Sequence, residues 1–190
     1  MSFNLDGTLR RLKPEKRTGA LTPRSDADLP FAETAPAAGA PLLLDTTVYI
    51  DTLQKRLPEA VKGLLRARSI NHSAIAAAEL AHAFGRLNPV HPDSAATLGA
   101  IGDVIIRNMP PHRLASPSIQ ATVEAGIVSG MIARLHGLAP VDRQPLLNDA
   151  MLFLQAMENG SVLLTRNIAD MDLIQQLVPP GRVLFYRKAT

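Results

Sequence analysis

The sequence predicts an α/β fold, a three-layer α/β/α sandwich around a mainly parallel sheet. Leu42-Leu43-Leu44 and Val162-Leu163-Leu164 are unbroken apolar runs, as expected of strands buried on both faces. Each run ends on a polar side chain, Asp45 and Thr165. Short strand-like pieces alternate with segments of helical period, which implies βαβ units and helices on both sides of the sheet.

Bulk composition narrows the chemistry. The 190 residues suit one domain of ordinary size plus an appendage. They are 46% hydrophobic but only 4% aromatic, so the core should be aliphatic. The absence of cysteine excludes a disulfide framework, a zinc-thiolate site and a cysteine nucleophile. No apolar run is long enough for a membrane span, and no secretory leader is evident, so a cytoplasmic protein is expected. The net charge of +3 is unevenly spread: residues 1–24 hold six Lys/Arg against two Asp/Glu, while 25–172 hold 11 against 15. Basic ends around an acidic middle suit a polyanion gripped by the flanks, or serve only solubility.

Residues 1–41 read as a Pro/Ala-rich basic arm, extended or disordered, with a short helix near Leu9–Lys13 and with Phe3, Leu5, Leu29 and Phe31 available to pin it down. The body is 42–190. After the strand at 42–45, a helix is expected over 52–67, with Pro58 liable to split it. A polar strand follows at 69–73, and Ser73 is placed to cap the next helix, which Asn88-Pro89 ends. Another helix should run from Asp93 or Ser94 to about Asn108. His112–Ser116 reads as a short edge strand. A helix over 118–136 should bury Ile119, Val123, Ile127, Met131 and Leu135. A loop through Pro140 and Pro145 leads to a helix near 147–158, then the strand 162–165, a short helix near 170–177 and a last strand at 183–186.

Four acids stand out by position. Asp45 closes the Leu-Leu-Leu strand, at the edge where open α/β sheets bind ligands. Glu79 follows three alanines that leave little bulk to shield it. Asp149 lies at the start of the helix after Pro145, and Asp170 follows the strand 162–165. Each also has an ordinary explanation: Asp149 as a helix-start acid complementing the dipole, Asp170 as a cap, Glu79 on a solvated face. Asp45 has the weakest such explanation, because an acid ending a buried strand cannot easily reach water. Acids among apolar neighbours are costly to bury and raise one another's pKa until a cation arrives. Oxygen ligands without Cys or His favour Mg²⁺ or Mn²⁺. The five histidines lack metal-ligand spacing, and the methionines read as core filler.

The segments Leu43-Leu44-Asp45-Thr46-Thr47-Val48-Tyr49-Ile50-Asp51, Ser73 to Leu80, Asn148-Asp149-Ala150 and Val162-Leu163-Leu164-Thr165-Arg166-Asn167 resemble the PIN domain, particularly the VapC-like toxins of type II toxin–antitoxin pairs. The resemblance covers about residues 42–186. It implies a PIN-like α/β/α sandwich, Mg²⁺- or Mn²⁺-dependent cleavage of RNA, and inhibition by a cognate antitoxin. Carried over residue by residue, Asp45, Glu79 and Asp149 match three of the family's acids. Asn167 occupies the usual fourth position, leaving Asp170 as the nearest substitute and Asp172 as a weaker one. Thr47 stands where Asn is more usual, and Thr165 would be the supporting hydroxyl, with Thr46 beside it. The arm is longer than these toxins normally have.

The expected function is therefore a metal-dependent endoribonuclease, with Asp45 and Asp149 holding the ion directly and Glu79 and Asp170 holding its waters or a second ion. Arg166 would steady the scissile phosphate or be a surface arginine. The alternative is a non-catalytic PIN-like module that binds RNA or protein, with Asn167 marking a weakened site. A phosphotransfer domain with an acidic pocket would need a lysine near the acids, and none lies within the four motifs. The apolar helix faces at 52–67 and 94–108 are compatible with a homodimer or an antitoxin helix.

Overall fold

A computed structural model describes residues 3–137 and 143–189. Its sheet is built on β1 (Leu42–Leu44), flanked by β2 (Ile70–Ser73) and β4 (Val162–Thr165). Beyond them lie β3 (Leu114–Ala115) and β5 (Val183–Phe185), giving the order β3-β2-β1-β4-β5 with every pairing parallel. Helices cover both faces, so the expected three-layer sandwich is the fold observed. From β1 the chain moves outward one way through β2 and β3, then returns to β4 and leaves the other way. The ends of β1 and β4 thus form the point where strand order reverses, where a parallel sheet opens a crevice.

Strand alternation divides the core. Leu43, Leu163, Val183 and Phe185 face α6 (Ile119–Ile132), α7 (Arg143–Glu158) and α8 (Ile168–Leu177). Leu42, Leu44, Val162 and Leu164 face α2 (Thr46–Leu53), α3 (Glu59–Ala67) and α4 (Ala74–Arg86). Ser73 caps α4 by accepting from the Ile75 N–H at 3.1 Å. Gly160 turns α7 into β4 at φ 64°, a left-handed conformation suited to glycine.

Several boundaries differ from expectation. The helix expected at 52–67 is two helices: α2 starts directly after Asp45, and Pro58 is the N-cap of α3, where its missing N–H costs nothing. The helix expected to reach Asn108 is regular only over α5 (Ser94–Gly99), then widens and tightens through Asn108. Gly99 and Gly102 weaken the α geometry there. On α6 the expected Met131 is buried and Ile127 packs against the core, but the stripe is otherwise Ala121, Ala125, Val128 and Ile132, and Ile119 is 52% exposed. Small side chains let α7 approach closely. The expected loop through Pro140 lies outside the described residues.

The arm has its own short helix, α1 (Leu5–Leu12), capped by Asn4, whose Oδ1 accepts from the Gly7 N–H at 2.8 Å. Leu12 and Leu29 are buried in the cluster under α6 and α8, whereas Phe3 and Leu5 are exposed. Pro30 accepts from the Phe185 N–H at 2.8 Å, and Phe31 bridges Phe185 in parallel. The arm therefore covers part of the free edge of β5. Its charges meet acids of the body: Arg11 pairs with buried Glu124 at 2.5 Å, and Arg24 with buried Asp172 at 2.6 Å.

Candidate active site

The site lies at the strand-order reversal. Asp45 leaves β1 with its carboxylate only 3% exposed. Two hydroxyls donate to its Oδ2, Thr165 from the end of β4 at 2.5 Å and Thr47 from the first turn of α2 at 2.6 Å. Burial raises the Asp45 pKa, those two hydroxyls oppose the rise, and the Glu79 charge adds to it.

Glu79 projects from the second turn of α4 and is half-buried. Thr46 donates to its Oε2 at 2.5 Å and Asn148 Nδ2 to its Oε1 at 2.9 Å. The neighbouring Ala76 is buried, so the carboxylate reaches across with no bulk in its way. The two threonines after Asp45 thus divide their work, one to each acid.

Asp149 lies within α7 rather than at its start, because the helix begins at Arg143 and takes Pro145 into its first turn. A dipole-complementing acid belongs to the first turn, so that explanation does not fit this position. Its pKa is pushed up to about 9, chiefly by burial, then by the charges of Asp45, Asp170 and Glu79. Four acids from four separate elements therefore share one electrostatic field.

Asn167, not Asp170, is the N-cap of α8, accepting from the Asp170 N–H at 3.4 Å. Its Nδ2 donates to Asp149 at 2.7 Å and to Asp170 at 2.9 Å. The amide thus takes the place between two carboxylates that a cation would otherwise fill. Asp172, the second acid after β4, lies elsewhere, buried against Arg24.

Arg166 is half-buried; its backbone N–H donates to Thr47 Oγ1 at 3.2 Å and its Nε to Asp51 Oδ2 at 2.8 Å. Tyr186 donates to the same Asp51 oxygen at 2.9 Å, and Asp51 is 1% exposed. Asp51, Asn148 and Tyr186 were not foreseen as part of this network. The signal lay in the motifs themselves, since Asp51 ends the first quoted segment and Asn148 precedes Asp149.

Among the described residues, no group of three or more His, Asp or Glu side chains is arranged to hold a metal ion as it stands. The Asn167 amide and the hydroxyls on Asp45 take up carboxylate oxygens that an ion would use. The donor set still suits a hard divalent cation: all oxygen, without sulfur, and with an Asp149 whose pKa burial and then the neighbouring acids push up to about 9.

Sequence comparison finds no matching family model and no matching curated protein. Solved structures do match in shape. One is the crystal structure of VapBC2 from Rickettsia felis bound to a DNA fragment from their promoter, at 17% identity and TM-score 0.52, covering 77% of this chain and 99% of that one. FitAcB from Neisseria gonorrhoeae matches at 19% identity and TM-score 0.53, covering 76% and 96%. DNA-bound VapBC from Salmonella typhimurium matches at 22% identity and TM-score 0.51, covering 76% and 97%. At such identities the likeness is one of fold, and the chain has the PIN-like α/β/α fold that its resemblance to VapC-like proteins implies.

Proposed function

We propose that this protein is a divalent-metal-dependent endoribonuclease acting as the toxin of a toxin–antitoxin pair. One observation carries the reading: Asp45, Glu79, Asp149 and Asp170 converge on the strand-order reversal, where burial and then the charges of the other three push the Asp149 pKa up to about 9. Such a cluster is poised for a cation. Asp45 and Asp149 would hold Mg²⁺ or Mn²⁺, with Glu79 and Asp170 on its water shell. When bound, the ion would neutralise the acids and stabilise negative charge building on the phosphate. Thr165 and Thr47 fix the Asp45 carboxylate, and Thr46 and Asn148 fix Glu79, so neither needs to reorganise during the reaction. One of the four carboxylates would take the proton of the attacking water.

The fold neighbours are VapBC and FitAB assemblies, which supports a protein partner here as well. The apolar cleft of about 410 Å³ between α2, α4 and α5, lined by Ile50, Leu53, Leu80 and Ile101, suits an antitoxin helix. A homodimer is part of the same reading. Among the described residues no helix is long and apolar enough to cross a membrane.

The second reading, a non-catalytic PIN-like module, draws on Asn167, whose amide already bridges Asp149 and Asp170. Purified protein incubated with single-stranded RNA and Mg²⁺ or Mn²⁺ separates the two. Cleavage that disappears with EDTA and with Asp45→Asn, in a variant that melts normally, supports the nuclease. Cleavage retained by that variant rejects the assignment of Asp45.

A further inference from the structure

The arm and the tail contribute most of the chain's excess positive charge, yet much of it is engaged internally. Arg11, Arg24 and Arg187 pair with Glu124, Asp172 and Asp26. Arg134, on the body, donates to the carbonyls of Pro14 and Arg17. Free positive charge collects elsewhere, at the end of α2 remote from the acids. There Lys55 and Arg56 form the turn into α3, Lys55 at φ 56°, and Lys62 and Arg66 follow on α3. The C-terminal tail adds Lys188, because the Ala189 N–H donates to the Arg56 carbonyl at 2.8 Å. Lys55, Arg56, Arg66 and Lys188 are exposed, and none has a side-chain hydrogen bond or ion pair among the described residues. Against five cations stands one exposed acid, Glu59, paired with Lys62 at 2.7 Å.

Three of these cations, Lys55, Lys62 and Arg66, line a cleft of about 450 Å³ together with Asp51. The Asp51 charge is offset by Arg166, which pairs with its Oδ2, so it does not cancel the patch. Both ends of α2 thus have a role. Asp45 stands at its N-cap position, and the eight-residue helix ends at Leu53, two residues before Lys55. At 1.5 Å per residue the helix is about 12 Å long, and the basic cleft lies beyond its far end from Asp45.

We propose that the cleft lined by Lys55, Lys62 and Arg66, with Arg56 and Lys188 adjoining it, is a phosphodiester-binding subsite that holds the RNA strand beyond the scissile bond. The inference rests on the nuclease reading for the identity of the polyanion, and on the cleft alone for its location. Cations around a cleft that no aromatic side chain lines specify backbone contact, which is sequence-independent and sensitive to salt. An acidic protein segment is the competing occupant. The cleft's connection to the acids through a single helix favours a strand long enough to touch both.

The test compares wild-type chain with Lys55→Gln/Arg56→Gln/Arg66→Gln, both carrying Asp45→Asn to prevent cleavage. Binding of a fluorescein-labelled single-stranded oligoribonucleotide is followed across a salt series. Losing three phosphate contacts should make the log Kd against log salt slope shallower by about 2, and weaken binding roughly a hundredfold near 0.1 M salt. In the cleaving background, KM should rise for a long oligonucleotide, with kcat little changed, and stay the same for a dinucleotide. Unchanged RNA affinity and salt slope, in a variant of normal melting temperature, overturns the subsite. So does loss of an acidic peptide's binding with RNA binding intact. Wild-type protein that cleaves RNA while the variant binds normally overturns the subsite alone. Wild-type protein that binds RNA through the cleft without cleaving it overturns the nuclease reading alone.

Discussion

Arg24 holds Asp172 at two points, its backbone N–H on Oδ2 at 2.8 Å and its Nε on Oδ1 at 2.6 Å, with Asp172 only 1% exposed. The arginine belongs to the arm and the acid to α8, 148 residues apart. Gln176 adds a third bond to the same carboxylate at 3.1 Å. A charge buried so deeply inside the body therefore depends on the segment that the sequence marks as an appendage.

Removing one member of such a pair leaves the other exposed to the full cost of desolvation. Arg24→Ala should lower unfolding stability by about 3 kcal/mol, the low end for a broken buried pair, because the arginine is itself partly solvated. Arg24→Ala/Asp172→Asn should recover most of that loss. Urea unfolding of the four proteins in the cycle measures the coupling, and a cycle energy near zero would refute the pairing. Deleting residues 1–24 should destabilise further than Arg24→Ala, since Glu124 would also lose Arg11.

Stability should fall as pH rises toward the alkaline range in the absence of divalent ions. Asp149 in the fold binds its proton up to about 9, whereas an unfolded aspartate releases it near its model value of 3.8. Between those values the folded state holds more protons than the unfolded one, so each pH step upward favours unfolding. Asp45 shifts in the same direction. Adding Mg²⁺ or Mn²⁺ should replace the proton, raise Tm more at pH 8.5 than at pH 5.5, and release acid measurable in weakly buffered calorimetry. A Tm gain that is equal at both pH values would contradict cation binding at Asp149.

Asn167→Asp tests the bridge directly. The substitution exchanges a donor lying between two acids for a further carboxylate at a site already pressed by like charge. Without metal, melting should occur at lower temperature, by an amount corresponding to about 1–3 kcal/mol. With saturating Mn²⁺ the order should reverse, since a further hard ligand helps an ion and harms an empty cluster. If Asn167→Asp remains the less stable protein at every Mn²⁺ concentration, the acids do not form a common ion site.

The sequence showed the fold most clearly where two independent patterns agreed. Leu42–Leu44 and Val162–Thr165 were recognisable because burial on both faces removes alternation, and they are the two strands at the centre. The acids at 45, 79, 149 and 170 were recognisable as candidates because their neighbours are apolar or small. What joins them was not. Thr46 reaching Glu79 and Thr47 reaching Asp45 depends on where α2 begins, and the leucine period from 53 to 65 hid a helix starting at Thr46. On α6, Met131 is buried and Ile127 packs against the core as expected, but alanines carry much of the buried face while the larger Ile119 faces solvent, so ranking residues by hydrophobicity misplaced the start of the stripe. The arm's docking depends on single arginines meeting buried acids at long range, and composition carries no sign of such pairs.

Arg166 combines a structural duty with a position next to the site, and a double variant separates the two. Its Nε neutralises buried Asp51, which Tyr186 also holds, while its peptide N–H donates to the threonine that fixes Asp45. Arg166→Ala alone should destabilise the fold by about 3 kcal/mol by leaving Asp51 without its counter-charge. Arg166→Met/Asp51→Asn removes both charges, keeps an acceptor for the buried Tyr186 hydroxyl, and should return stability to within about 1 kcal/mol of wild type. The backbone bond to Thr47 survives in either variant. The two guanidinium nitrogens not used by Asp51 are the groups available to a phosphate, so under the nuclease reading the stable double variant should still lose about 10²-fold in kcat/KM, the scale of one lost charge-stabilising donor. Full activity in that double variant would confine Arg166 to neutralising Asp51, and would leave the developing charge on the phosphate to other groups at the site.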